Sequence, residues 1–200
     1  NPDMRRVFAY LTGTRCLDQR VVKAFVKAKM IYEDAAYHNA VFVGYDLEGV
    51  PRHAHKRGTY TKGEPFKGNV DGCDPRYSFH WIGKSDMVYV FEAPIDLLSF
   101  ISLYQKDWRM HSYVALCGVA EHALLQLLSD ASQVKRIALC LDNDKAGIQA
   151  RERIKQSLAE RGYRDVFPLF SQQKDWNEDL QALTKPPPKQ EEQGFAMRMG

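Results

Sequence analysis

The sequence predicts an α/β protein: a four-stranded, mainly parallel sheet flanked by helices, with a smaller α+β module at its N-terminal side. Three observations predict it. Short apolar runs rich in β-branched and aromatic residues, the composition of buried strands, recur at 88–91, 113–117, 137–141 and 166–170. Stretches of helical period separate them, and this alternation builds βαβ units on a parallel sheet. Acidic residues stand just past two of the strands: Glu92 in Val88-Tyr-Val-Phe-Glu92, and Asp142 and Asp144 in Ile137-Ala-Leu-Cys-Leu-Asp-Asn-Asp144. Ligands bind open α/β sheets at the carboxyl ends of the strands.

Taken in order, Asp18 is placed to cap a helix over 18–29, whose apolar face is Val21, Val22, Phe25, Val26 and Ala28. Ala40-Val-Phe-Val-Gly-Tyr45 reads as a strand entering a hairpin through Asp46-Leu-Glu-Gly49. Residues 50–72 are polar, basic and glycine-rich with no clear period, and predict a small, mostly β unit with exposed loops. From Met87 the pattern changes. Strand 88–91 leads into a helix through Ile95, Leu97, Leu98, Phe100, Ile101 and Leu103, with Pro94 in its first turn, where a missing N–H costs nothing. Strand 113–117 ends at Gly118, and a helix carries Ala123, Leu124, Leu127 and Leu128. Strand 137–141 reaches the Asp pair. A helix with Ala146, Ala150, Ile154 and Leu158 follows, Gly162 ends it, and Val166-Phe-Pro-Leu-Phe170 is the fourth strand. The expected division is 1–85 for the N-terminal module, 86–183 for the α/β domain, and 184–200, with three prolines, for a disordered linker or tail.

Composition bounds the function. The apolar fraction of 44% suits a packed core, and a net charge of +3 leaves any basic surface local. Cys16, Cys73, Cys117 and Cys140 form no CxxC pair, which argues against a zinc ribbon and a disulfide framework. His53 and His55 with Cys73 fit no zinc spacing either. There is no apolar run of 18 residues and no signal peptide, so a soluble cytoplasmic protein is expected. A first residue of Asn suggests a fragment or a processed chain.

Three carboxylates gathered at one sheet edge repel one another, so a divalent cation is their natural partner. Mg²⁺ takes one or two carboxylates and completes its shell with water and phosphate oxygens. The pattern therefore points to metal-dependent phosphate chemistry. The competing reading is that Asp142 and Asp144 merely cap the helix beginning near Lys145; it leaves Glu92 without explanation. The densest basic stretch holds Arg52, His53, His55, Lys56, Arg57, Lys62 and Lys67, interleaved with Tyr60 and Phe66. Single-stranded nucleic acid is held by such a mixture of charge and stacking surface.

The order and spacing of these segments resemble the toprim domain, a Rossmann-like fold shared by bacterial primases, topoisomerases and some nucleases. Phe91-Glu-Ala-Pro-Ile-Asp96 resembles its glutamate motif, Ala115-Leu-Cys-Gly118 its second strand and glycine, Leu141-Asp-Asn-Asp-Lys-Ala-Gly147 the primase form of its Asp-x-Asp motif, and Lys174-Asp-Trp-Asn-Glu-Asp-Leu180 the primase Lys-Asp-x-Asn/Asp element. Upstream, Tyr10-Leu, the helix 18–29, Asn39-Ala-Val-Phe, Asp46-x-x-Gly49 and Arg57-Gly58 resemble the module that precedes toprim in primase-like proteins of plasmids and conjugative elements. One departure is Ala93, where the primase family usually has glycine after the motif glutamate.

The resemblance implies that Asp142 and Asp144 coordinate Mg²⁺ or Mn²⁺, and that Glu92 is a general acid/base or a further ligand. It makes Asp96 an additional or supporting acid. Arg52, Lys56, Arg57, Lys67, Lys145 and Lys174 are the candidate contacts to phosphate. The implied function is primase-like nucleotidyl or phosphodiester transfer on nucleic acid, in replication or transfer of a mobile element. Expected partners are single-stranded DNA, nucleoside triphosphates and the other domains of a longer parent protein. A toprim nuclease and a non-catalytic DNA-binding scaffold are the alternatives; phosphatase and receiver folds order their acids differently.

Overall fold

The computed structural model describes residues 3–60, 63, 66–118 and 120–184. Lys62 of the basic stretch and the expected tail beyond 184 lie outside the described residues. The chain begins with helix α1 (Arg5–Ala9), which runs on into a π-helical turn at Tyr10–Thr14. Helix α2 (Gln19–Lys27) follows, its N-terminus capped by Asp18, whose carboxylate accepts from the Arg20 amide at 2.7 Å. Strands β1 (Ile31–Glu33), β2 (Ala40–Tyr45), β3 (Pro51–Arg57) and β4 (Lys67–Asn69) form an antiparallel sheet in that order. The stretch without visible period thus contains two strands. Its charged outward positions hide the alternation, because His53 and His55 are the inward pair.

The second sheet contains β5 (His80–Trp81), β6 (Met87–Phe91), β7 (Ser112–Ala115), β8 (Arg136–Leu139) and β9 (Asp165–Pro168), in the order β5-β7-β6-β8-β9. The four expected strands are parallel to one another. A two-residue antiparallel strand, β5, is added at the edge; it is too short for its period to be read. Helices α3 (Pro94–Leu103), α4 (His122–Asp130) and α5 (Lys145–Glu160) make the crossovers, and α6 (Trp176–Thr184) follows β9. No helix among the described residues is long and apolar enough to cross a membrane.

Alternation along β6 sorts two cores. Val88 and Val90 face the cluster built with α4 and α5, while Met87 and Phe91 face the cluster shared by α3, Trp176, Leu180 and the first module. Phe25, Phe42 and Phe79 interlock there, with ring centroids 5.4 Å (Phe25–Phe79) and 5.5 Å (Phe42–Phe79) apart. Each such buried ring contributes roughly 1.5–3 kcal/mol, so one continuous core fixes the small sheet against the large one. From β6 the chain steps to β7 on one side, then returns across to β8 on the other. The strand order reverses between β6 and β8, and this is where a doubly wound sheet opens a crevice at its carboxyl ends.

Candidate functional site

At that crevice lies a cleft of about 380 Å³. The large sheet lines it with Glu92, Asp96, Asp142, Lys174 and Asp175, and the small module with Arg15, His55, Arg57 and Lys67. Glu92 directly follows β6 and Asp142 lies three residues past β8, its parallel neighbour. The structure therefore brings together Glu92, Asp96, Asp142, Arg57, Lys67 and Lys174 of the residues expected from the sequence.

The acids differ sharply. One oxygen of Glu92 (Oε2) and one of Asp142 (Oδ1) are buried without a hydrogen-bond partner. Burial is the largest cause raising both carboxyls. Asp144 adds to it at Glu92, and Glu92, Asp175 and Asp144 add to it at Asp142, which is pushed up to about 7. Lys174 pulls in the opposite direction at both, and Lys67 does so at Glu92. Asp144 behaves otherwise: its Oδ1 accepts from the Gly147 amide at 2.9 Å and caps α5, while its Oδ2 stands 4.0 Å from Lys174 Nζ. The cap reading thus holds for Asp144 and fails for Asp142. Asp96 is buried and accepts from the Asn177 amide at 3.2 Å, so it ties α3 to the start of α6. Burial, with Asp175 and Asp142 nearby, holds it well above the ordinary carboxylate range.

Three further residues shape the acid loop: Asn143 and Gly147, which lie in the Asp-x-Asp motif with no role assigned from the sequence, and Arg151, which gave no signal there. Asn143, the central motif residue, donates to Ser171 O at 2.9 Å, Ser171 Oγ at 3.0 Å and Gln173 O at 2.9 Å, while its amide donates to Lys174 O at 2.8 Å. It fastens the loop after β8 to the loop after β9. Arg151 is buried in α5 and donates to Leu141 O at 2.7 Å, holding the carbonyl just before Asp142. Gly147 permits a close approach: a Cβ there would stand 2.2 Å from Asp142 O. Ala93 has φ −129° and precedes α3 in extended backbone, so no glycine is required there.

The cations also sort. Arg15 donates to the Tyr10 hydroxyl at 2.8 Å and to Asn177 Oδ1 at 3.2 Å, which fixes it on the cleft wall; the sequence gave no reason to choose it. Arg57 faces the cleft with a buried, unpartnered Nε. Arg52 is instead paired to Asp46 at 2.6 Å beside the β2–β3 turn. Lys56 lies between His55 and Arg57 and so projects from the opposite face of β3. Lys145, exposed in the first turn of α5, is also outside the cleft lining. Arg52, Lys56 and Lys145 therefore do not join the acids, because pleat, pairing and helix direction turn them elsewhere.

Among the described residues no three His, Cys, Asp or Glu side chains are gathered as a ready ligand set for a metal. Mg²⁺ asks for less, since one or two carboxylates suffice when phosphate and water fill the remaining positions. The orphaned oxygens of Glu92 and Asp142, both buried among like charges, fit that demand.

Residues 89–180 match the family model described as Toprim-like, and residues 9–85 match that of a protein family of unknown function, DUF3991. The chain is 26% identical over 210 residues to an uncharacterized protein of Bacillus anthracis, covering 94% of this chain and 60% of that protein. Its fold is similar to the primase fragment of the bacteriophage T7 primase-helicase protein, with TM-score 0.63 and 20% identity over 82% of this chain and 66% of that one. It is also similar to the DnaG primase catalytic domain bound to single-stranded DNA, with TM-score 0.55 and 12% identity over 86% of this chain and 66% of that one. The chain thus spans 60% of the curated relative's length and 66% of each solved structure's. These likenesses, with the motifs at the strand ends, identify a Toprim-like domain of primase fold preceded by a DUF3991 module.

Proposed function

We propose that this chain performs Mg²⁺-dependent nucleotidyl or phosphodiester transfer on nucleic acid, in the manner of a primase, in the cytoplasm and in the replication or transfer of a mobile element. One observation carries the reading: two carboxylates with orphaned buried oxygens, Glu92 and Asp142, share a cleft with Arg15, Arg57, Lys67 and Lys174. Acids alone repel phosphate, and cations alone would not need the acids. A cleft holding both suits a polyphosphate together with a divalent ion.

In this reading the module over 1–85 supplies most of the cations, and the domain over 86–183 supplies the acids. Glu92 and Asp142 would hold Mg²⁺ or Mn²⁺, with Asp144 and Asp96 beside them. Bound Mg²⁺ supplies charge neutralisation and polarisation of a phosphoryl oxygen. In its other role, with Asp142 and Asp144 holding the ion, Glu92 would accept the proton of an attacking hydroxyl. Arg57 and Lys67 orient the phosphates of a nucleoside triphosphate or of the template strand, and Lys174 balances the charge of Asp144. The solved relative with bound single-stranded DNA supports that polymer as the partner. The share of the relatives' length that this chain spans supports further domains in a longer parent.

The test is a gel assay with a single-stranded DNA template, labelled nucleoside triphosphates and Mg²⁺. New oligonucleotides are expected, lost with chelator and reduced at least about 100-fold in Asp142→Asn, the order seen when one preorganised electrostatic group is removed. Shortening of the template instead would establish the nuclease reading. Neither product, from folded protein that binds the template, would leave a DNA-binding scaffold and overturn the catalytic reading.

A further inference from the structure

We propose that Tyr37, Tyr60 and Phe66 form a base-stacking rim that receives unpaired nucleobases and leads a single strand into the cleft. The inference rests on the nucleic-acid reading above and assigns it a recognition surface outside the acid site.

Glu33, Ala40, Arg57 and Lys67 stand in one cross-strand row, which is the end row of the small sheet. Arg57 and Lys67 of that row line the cleft. Immediately beyond the row come the turn between β1 and β2, which carries Tyr37, and the connection from β3 to β4, whose described residues include Tyr60 and Phe66. The start of that connection is tied to the β1–β2 turn, since Thr59 Oγ1 donates to His38 O at 3.0 Å. Three aromatic side chains are therefore presented at one end of the sheet, exposed to 78% (Tyr37), 69% (Tyr60) and 57% (Phe66).

Exposed aromatics gathered this way, beside charge, mark an interaction surface. The tip of the Phe66 ring lies over Gly68, where a Cβ would meet its Cζ at 3.4 Å and its Cε2 at 3.9 Å. Lys56, which the cleft does not use, is paired in register with Gly68 and so shares that side of the sheet. The nearby carboxylate of Asp34 is engaged by the Ala36 and Tyr37 amides, at 2.8 and 2.9 Å, and by Asn39 Nδ2 at 2.8 Å. Lys56 stands on the face of the small sheet with Phe66, and Arg57 and Lys67 stand on the cleft face. Rings at the end of the sheet with cations on both faces suit a single strand that crosses the end row into the cleft, whereas the bases of a duplex are already stacked and offer the rings no face.

The probes are two fluorescein-labelled oligonucleotides of equal length, one of thymidines and one with abasic sites in their place, followed by anisotropy across a salt series. Wild type is expected to bind the thymidine strand roughly ten-fold more tightly than the abasic strand, since stacking contributes about 1–3 kcal/mol per base. The triple variant Tyr37→Ala/Tyr60→Ala/Phe66→Ala should lose that difference and keep the salt slope, because it removes no charge. In Phe66→Trp, the new indole fluorescence should be quenched by the thymidine strand and not by the abasic one. Equal wild-type binding of the two strands would overturn the rim alone. Binding of neither strand at low salt would overturn the rim together with the nucleic-acid reading beneath it.

Discussion

The two sheets of this protein face the same cleft and bring opposite charge to it. The five-stranded sheet delivers acids just past the ends of buried parallel strands, where strand pairing sets their place and Arg151 and Asn143 hold the loop that carries Asp142. The four-stranded sheet delivers cations from an exposed antiparallel hairpin, where pleat and register decide which side chain arrives. Arg57 and Lys67 reach the cleft, whereas Arg52 and Lys56, on the same strand as Arg57, do not. The comparison teaches that a cluster of like charges in a sequence is divided by strand geometry, while residues at the carboxyl ends of neighbouring parallel strands are gathered by it.

The largest effect expected from breaking the comparison is on polymer binding. Replacing Arg57 and Lys67 together with Ala should lower the salt slope for a single-stranded oligonucleotide by about 1.4, two phosphate contacts at roughly 0.7 each. Arg52→Ala, which removes only the partner of Asp46, should leave the slope unchanged. Anisotropy across a salt series checks both. Equal slopes in the double variant and wild type would move the binding surface away from the cleft.

A smaller effect is expected from the acid side, in stability. Asp142 is raised in the fold to about 7 from 3.8. The stability linked to its proton is fully present below pH 3.8 and is lost as the pH rises through about 7. Asp142→Asn removes that loss. It should therefore melt higher than wild type in metal-free buffer at pH 8, and the gain should shrink steadily as pH falls from 7 toward 4. The carboxylate is partly solvated, which limits the gain; each kcal/mol relieved is worth about 2–4 °C in a chain of this size. Thermal melts at a series of pH values make the comparison, and a gain independent of pH would show that charge at Asp142 is not its source.

The parts legible in the sequence were those with a period. Four strands and their crossover helices follow from apolar runs and turn residues, and so does the position of Glu92, Asp142 and Asp144 at the carboxyl edge. Strand β5 is two residues long and shows no period, and α6, whose buried Trp176 and Leu180 are one turn apart, lies in a segment for which the sequence reading offered a motif and no helix. The separate tasks of Asp142 and Asp144 were not legible, because two acids at i and i+2 look alike until the helix start selects one as its cap. Arg151, Asn143 and Asn177 act through backbone carbonyls and amides of distant segments, and such partners leave no mark on spacing. Arg15 reaches the cleft only because Asn177 and Tyr10 hold it there.

The central claim is that Glu92 and Asp142, with their orphaned oxygens, are the seat of a divalent cation. Titration calorimetry with Mn²⁺, in the presence of a non-hydrolysable nucleoside triphosphate, tests it in wild type, Glu92→Gln and Asp142→Asn. Binding in wild type and a loss of more than about 100-fold in each variant are expected, because even residues that only support metal ligands cost 10–100-fold when changed. Equal Mn²⁺ affinity in all three proteins would contradict the account.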